Sequence, residues 1–348
     1  MTFFLIGIDH RGTPLEARER AYRRRADIAA YGHACAGVRT AVLSTCNRLE
    51  VYGEARGDAE AQAWRAGFLR EFGEAFAASY VVPGAEGVFA HGVHLACGLM
   101  SWLPGEPQIH AQLGRWARTA GLPAGLAALW RRILERAEAV RSAAEPFGPP
   151  ATLADVVFDD LERRHRPFVL RRILVIGTGK VAELMASACP AGVRMTFVAR
   201  KNAPRAQGFA AGAEVVPPAE IAARLDGVDA AISATGSPHT VLRAEHVDGL
   251  GRPRPRPLWI YDLAMPRDVA PEVGRSAGVH VVDMEAALSG FLQRRPQAGR
   301  YVSVLQRWAA AAIRRRENLR EDTSWNAAQP LGARAGAGDR GAVAAVSL

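Results

Sequence analysis

Five residues that read as a buried strand, Arg172-Ile173-Leu174-Val175-Ile176, run straight into Gly177-Thr178-Gly179-Lys180-Val181-Ala182 and then into a helical continuation through Leu184, Met185 and Ala188. A Gly-x-Gly-x-x-Ala turn on its own is a weak signal. Between a strand and a helix it is the arrangement that lets a pyrophosphate rest on a helix N-terminus. Further apolar runs at residues 195–198, 230–233, 258–262 and 279–282, separated by helical or loop segments, predict a doubly wound parallel sheet of the Rossmann type. The second strand ends at Ala199-Arg200-Lys201-Asn202. An NAD site would offer Asp or Glu there, whereas two cations suit a 2′-phosphate, so NADP is preferred over NAD. The alternative for Arg200 and Lys201 is a solvated surface pair. Ser233-Ala234-Thr235-Gly236-Ser237-Pro238 and Asp262-Leu263-Ala264-Met265-Pro266-Arg267-Asp268 fall at strand C-termini, where such sheets bind ligands.

The first half of the chain has a different organisation. Residues 3–8 read as a buried strand that ends in a turn-rich segment, after which Thr13 and Pro14 start a helix. His10 is read as a strand-end polar group satisfied locally. From residue 58 to residue 76 the pattern is helical, with Trp64, Phe68, Phe72 and Phe76 on one core-facing stripe. An apolar run, residues 38–43, leads into Ser44-Thr45-Cys46-Asn47-Arg48-Leu49-Glu50, and the alternating residues 49–52 lead out. Cys46 is therefore expected on a tight connection between two strands, a place where chemistry is carried. The Arg48 guanidinium favours the thiolate, the nucleophilic form; the alternative is a small buried hydrophobe. Helical sequence through residues 126–141 breaks at Pro146, Gly148, Pro149 and Pro150, which marks a domain boundary.

Composition narrows the class. With 348 residues, 49% of them hydrophobic, the chain can bury two cores. No apolar run approaches the ~20 residues of a membrane span, and the N-terminus lacks signal-peptide order, so a cytoplasmic protein is expected. Cysteines at 35, 46, 97 and 189 show no paired metal-ligand spacing and are read as reduced thiols. A net charge of +9 suits a polyanion such as RNA. Nearly all of that charge is arginine, Lys180 and Lys201 being the only lysines, a skew that genome composition also produces. His91 and His94 have helical i, i+3 spacing, but no third ligand stands at a suitable spacing, and no metal is expected.

Ser44-Thr45-Cys46-Asn47-Arg48-x-Glu50 resembles the nucleophile motif of the glutamyl-tRNA reductase family. Gly7-x-Asp9-His10, followed by a basic residue, Gly, Thr and Pro, is similar to that family's opening. A histidine, a serine ten residues on, then Gly-Glu-Pro-Gln-Ile and a further glutamine fall on His91, Ser101, Gly105-Glu106-Pro107-Gln108-Ile109 and Gln112 without a gap. The resemblance covers nearly everything from residue 3 to about residue 283. It implies an N-terminal α/β catalytic domain (1–146) and an NADP-binding Rossmann-type domain (147–283); the apolar stripe beyond predicts a C-terminal helical segment (284–325), and the Ala/Gly-rich composition a disordered tail (326–348). It also implies NADPH-dependent reduction of glutamyl-tRNA(Glu) to glutamate-1-semialdehyde, the first step of the five-carbon route to tetrapyrroles. Cys46 would form a thioester and His91 would assist proton transfer or polarise the ester. Arg48 would pair bidentately with a substrate carboxylate, and Thr45, Asn47, Ser101, Glu106, Pro107, Gln108 and Gln112 would complete the substrate site. Gly177, Thr178, Gly179, Lys180, Val181 and Ala182 would hold NADPH, with Arg200 and Lys201 selecting NADP. Charged tRNA(Glu) is the implied partner, with glutamate-1-semialdehyde aminomutase as a candidate receiver of the product.

Several positions depart from the family pattern. His94 replaces an Arg, Met100 an Asp, Pro104 an apolar residue, and Pro149-Pro150-Ala151-Thr152 a Ser-Ser-Ala-Ala segment. The family's long C-terminal dimerisation region has little room here, so a monomer is expected, or a weak dimer through the stripe of Tyr301, Val304, Leu305, Trp308 and Ala312. These departures keep two alternatives open: a reassigned paralogue reducing another aminoacyl-tRNA or carrier-bound acyl group, and a non-catalytic regulatory homologue.

Overall fold

The structure, a computed structural model, describes residues 1–34, 37–200, 203–209, 213–250 and 256–314. Two sheets organise these residues. The first is antiparallel, with strand order β2-β3-β1-β4, formed by β1 (Thr2–Asp9), β2 (Val38–Ser44), β3 (Arg48–Ala55) and β4 (Tyr80–Pro83). Helices α1 (Leu15–Arg23), α2 (Arg25–Ala34), α3 (Asp58–Phe72), α4 (Gly84–Ala96), α5 (Gln108–Thr119) and α6 (Ala124–Ala144) complete this half.

The alternating pattern of β3 suggests one wet face, yet all eight of its residues are buried. Apolar cores explain this, because they cover both faces of the sheet. Phe4, Ile6, Ile8 and Val51 meet the stripe of Trp64, Phe68, Phe72 and Phe76 on one side, while Leu5 and Tyr52 meet Val93, Trp130 and Ile133 on the other. Polar side chains of β3, Glu50 and Glu54, are therefore carried inside, where they need partners.

The second sheet is parallel, with strand order β10-β9-β8-β5-β6-β7. Its strands are β5 (Arg172–Ile176), β6 (Arg194–Val198), β7 (Glu214–Val216), β8 (Ala230–Ser233), β9 (Leu258–Asp262) and β10 (Val279–Val282). The expected doubly wound architecture is present; the short strands β4 and β7 lacked a long enough apolar run to be legible. Helices α7 (Leu153–His165), α8 (Lys180–Ser187), α9 (Ala203–Gln207), α10 (Ile221–Asp226) and α11 (Ala244–Asp248) belong to this half. Thr152, the last residue of the divergent Pro-Pro-Ala-Thr segment, caps α7 in a reciprocal pair with Asp155.

The C-terminal segment divides between the two halves. After β10 come α12 (Met284–Leu288) and α13 (Phe291–Arg294), whose Ala287 and Phe291 enter the second core. The long α14 (Pro296–Arg314) instead returns to the first: Tyr301, Val302, Val304, Leu305 and Ala309 are buried with Trp130 and Ile133. Each large apolar side chain buried there contributes roughly 1.5–3 kcal/mol. The stripe expected to make a weak dimer is thus occupied within the chain, and Tyr301 is packed against Gly105, where an added Cβ would lie 3.0 Å from its ring. Among the described residues no helix is long and apolar enough to cross a membrane. The remainder of the expected helical segment and the tail at 326–348 lie outside the described residues.

Candidate active site

A cleft of about 800 Å³ lies between the β2–β3 turn with α1 and the C-terminal edge of the parallel sheet, and residues from both halves line it. On one wall stand His10, Arg18, Thr45, Cys46, Asn47 and Glu106; on the other, Val181, Ala234, Thr235 and Asp262. The second wall is the switch point of the parallel sheet, where order reverses between β5 and β8, the usual ligand position in such folds. Arg267 fastens the walls together. Its backbone N–H and Nε donate to Glu19 Oε1 at 2.9 and 3.0 Å and its Nη2 donates to Glu16 Oε1 at 2.8 Å. Leu103 adds an apolar plug from the first half to the second core.

The local sequence puts Cys46 at a tip. β2 and β3 pair as far as Ser44↔Leu49, leaving Thr45-Cys46-Asn47 as the connection. Thr45 N–H donates to Arg48 O at 3.0 Å and Asn47 N–H donates to Thr45 Oγ1 at 3.2 Å, which ties the turn. Cys46 is consequently exposed, but into the cleft rather than to bulk solvent. The surroundings of the sulfur oppose the thiolate that Arg48 was expected to favour. Removal from bulk water, joined by the charge of Glu106, pushes the thiol up to about 11, and Arg48 and Arg18 offset this only in part. Alkylation of the free protein by iodoacetamide should therefore be slow at pH 7 and climb steeply toward pH 11. Glu106→Gln should move that rise to lower pH; an unmoved profile would remove Glu106 from the sulfur's surroundings.

Arg48 lies behind the turn. It is buried, its Nη1 is 3.0 Å from Glu50 Oε1, and its Nη2 donates to Met100 O. Both Nη groups are engaged within the protein, while the buried Nε has no partner; the bidentate grip expected of Arg48 on a substrate carboxylate would require the Met100 or Glu50 contact to yield. The Met100 contact uses a backbone carbonyl, so the replacement of the family's Asp costs that bond nothing. Glu50 also accepts from Tyr52 at 2.6 Å, from Tyr80, and pairs with His91 Nε2 at 3.0 Å. Burial alone would raise the Glu50 carboxyl; the pull of His91 and Arg48, with the hydrogen bonds, holds it far below the usual carboxylate range. His91 is thus in the wall behind Arg48 and is not a cleft-lining residue.

The other expected substrate residues separate. Thr45, Asn47 and Glu106 line the cleft. Ser101 is buried beside Glu106, without a well-aligned hydrogen bond of its own. Pro107 precedes the first turn of α5, Gln108 has a buried Oε1 with no partner, and Gln112 is exposed. None of these last three lines the cleft.

The glycine-rich turn fits a dinucleotide. Gly177 has φ +117°, and a Cβ there would lie 2.7 Å from Ala234 O, so the protein itself demands glycine. At Gly179 a Cβ would meet nothing within 4 Å, leaving the backbone open to close approach by a ligand. Ala182 is buried against the sheet, Val181 faces the cleft, and Lys180 pairs with Glu183 at 3.0 Å. Arg200 is exposed just beyond β6 and Thr178 is half-buried in the turn; Lys201 lies outside the described residues. Asp262 shapes the cleft floor by accepting from the N–H groups of Ala264, Asp268 and Val269, and burial raises its carboxyl to about 6.

His10 was not anticipated as a site residue. Its N–H donates to Asn47 O at 3.0 Å, its ring lies 4.2 Å from that of Trp102, and its buried Nδ1 has no partner. Burial, with the cations Arg48, Arg11 and Arg18, outweighs Asp9 and lowers the imidazole to about 4, so the ring is neutral near pH 7. Its position in Asp9-His10-Arg11 was the available signal; its nearness to Cys46 was not readable from spacing.

Comparison with known proteins follows the same division. The model of the glutamyl-tRNA(Glu) reductase N-terminal domain matches residues 6–144, and that of shikimate / quinate 5-dehydrogenase matches residues 160–287. The chain is 30% identical over 318 residues to glutamyl-tRNA reductase of Deinococcus radiodurans, covering 86% of this chain and 87% of that one. It is 31% identical over 325 residues to glutamyl-tRNA reductase of Marinobacter nauticus, covering 86% and 74%. Among solved structures, glutamyl-tRNA reductase from Methanopyrus kandleri aligns with 90% of this chain and 79% of its own at 23% identity, with a TM-score of 0.39.

Proposed function

The chain belongs to the glutamyl-tRNA reductase family, and from that premise we propose that it reduces the glutamyl ester of charged tRNA(Glu) to glutamate-1-semialdehyde through a thioester on Cys46. This is the first step of the five-carbon route to 5-aminolevulinate and tetrapyrroles. The observation that carries the reading is the placement of Cys46 on a hairpin tip that shares one cleft with the residues after β5 and β8. A nicotinamide cofactor, NADPH by the cations after β6, would be held by Gly177, Thr178, Gly179 and Val181 and would supply hydride when bound.

Cys46 attacks the ester carbonyl; the C–S bond forms, the C–O bond to the tRNA 3′-oxygen breaks, and the thiol proton must end on that oxygen. A thiol at about 11 is ionised in roughly one molecule in 10⁴ at pH 7, so the acyl donor has to help. The donor's own ammonium group, seated against Glu106, cancels the charge that opposes the thiolate. Neutral His10, in the same cleft, would relay the thiol proton to the leaving oxygen as the C–S bond forms, without holding it, since its basicity is low. Asn47 and Thr45 hold the turn, and His91 acts at one remove, positioning Arg48 through Glu50. Reduction of the thioester then releases the aldehyde and restores the thiol.

The test is direct. Purified protein, charged glutamyl-tRNA and NADPH should yield semialdehyde in step with NADPH oxidation. Binding of NADPH with the charged tRNA left untouched would defeat the reading.

A further inference from the structure

The helical wall of the cleft continues outward past the reactive turn. Leu15, Arg18 and Tyr22 of α1 and Arg25, the first residue of α2, are spaced three and four apart, and all of them border the cleft. Only Arg24 separates the two helices. Burial falls along this stripe: Arg18 is 9% exposed, Tyr22 is half-buried and Arg25 is exposed. Tyr22 and Arg18 also share a small void with Cys46. The stripe is therefore a ledge that climbs from beside the sulfur to the rim, Arg25 standing about 10 Å of helix beyond Arg18.

The outer end of the ledge has aromatic and cationic surface to spare. The Arg25 guanidinium carbon lies 4.2 Å from the centre of the Tyr22 ring, and its Nη1 donates to Tyr22 O at 3.0 Å. Ring and carbonyl hold the group in place, while no acidic side chain among the described residues pairs with it. Deeper in, the charges are balanced. Arg18 has Asp9, Glu16 and Glu19 as neighbouring charges, and Arg267 engages Glu16 and Glu19. Apart from Glu106 beside the sulfur, the acids that line the cleft, Asp262, Asp283 and Glu285, belong to the opposite wall. A polyanion leaving the cleft is drawn to the Arg25 side.

An ester on the last nucleotide of a tRNA reaches Cys46 only if the unpaired nucleotides that carry it run out through the rim. Such a strand presents the face of a base and a phosphate at each step, which aromatic and arginine side chains hold without reading sequence. We propose that the Tyr22–Arg25 ledge seats the unpaired 3′ end of the tRNA, one base stacking on the Arg25–Tyr22 pair and one phosphate meeting the free edge of Arg25. The proposal rests on the reading that the charged end of a tRNA enters this cleft. It gives the polynucleotide, rather than the amino acid, its seat on the protein.

The experiment measures by fluorescence anisotropy the affinity of the full chain for two uncharged RNAs: tRNA(Glu), and the same tRNA with its unpaired 3′ nucleotides removed. The parent should bind the intact RNA roughly tenfold more tightly than the trimmed one. The double variant Tyr22→Ala, Arg25→Gln should bind both at about the trimmed-RNA affinity, erasing the difference. Arg25→Gln alone should lower the salt slope for the intact RNA by about 0.7, the share of one single-strand phosphate. Arg118→Gln, an exposed change on α5 outside the cleft, should leave the ratio as it is in the parent. Partial misfolding weakens both RNAs alike, so their ratio is the readout. An undiminished ratio in the double variant overturns the proposal. So do equal losses on both RNAs, which assign the ledge to the duplex, and a loss of NADPH affinity in place of tRNA affinity, which assigns it to the cofactor. Semialdehyde assays keep the two readings apart. A parent that binds in the expected pattern yet makes no semialdehyde defeats the catalytic reading and leaves the ledge standing; an active parent whose ratio survives the double substitution defeats the ledge alone.

Discussion

Cys46→Ser should retain the melting temperature and the NADPH affinity of the parent while losing at least roughly 10⁴-fold in turnover. The side chain sits on an exposed hairpin tip whose ties run through Thr45, Asn47 and Arg48, so exchanging sulfur for oxygen removes no packing. The loss is chemical. A serine hydroxyl in the same surroundings is far harder to ionise than a thiol already pushed up to about 11, and an oxygen ester gives up its acyl group to hydride less readily than a thioester. Semialdehyde formation at more than about one per cent of the parental rate would show that the ester is reduced without covalent capture.

Glu50→Ala should be the most damaging substitution for the fold. The carboxylate is fully buried and takes Arg48, Tyr52, Tyr80 and His91 as partners. Its removal strands the Arg48 guanidinium in the sheet interior, which costs about 3–5 kcal/mol and lowers the melting temperature by roughly ten degrees. Adding Arg48→Met should recover part of that loss, because no charge is then left unpaired. The pH dependence has a definite sign. The folded-state carboxyl is depressed, so its contribution is complete above the unfolded carboxylate range and fades as pH falls below about 4. Urea melts of parent and Glu50→Ala should therefore converge on acidification; parallel midpoints from pH 7 to pH 3 would deny the network its energetic role.

Local signals named both walls of the site. The glycine turn and the Cys46 connection each depend on a few adjacent residues whose backbone needs are readable from residue type alone. The surroundings of Arg48 and of the thiol differ from those expected for a common reason. Adjacency in sequence suggested that Arg48 would serve the substrate and ionise the sulfur, but β3 is covered on both faces, and burial draws Arg48 to Glu50. Burial and Glu106, which arrives on a separate loop, then outweigh the cations at Cys46. His10, Arg18 and Trp102 come from three segments that meet the nucleophile only once the sheet and α1 are in place, and no periodicity encodes that meeting. The stripe on α14 was legible as an apolar face, while its partner was not, since the core that receives it is built by α4 and α6.

The central claim is that an acyl group rests on one sulfur. Protein incubated with charged glutamyl-tRNA(Glu) in the absence of NADPH, quenched in acid, digested and analysed by mass spectrometry should show a glutamyl adduct on the peptide containing Cys46. Hydroxylamine should remove it, and added NADPH should discharge it as semialdehyde. Charged tRNA recovered intact, with that peptide unmodified while NADPH oxidation proceeds normally in a parallel reaction, would contradict the account.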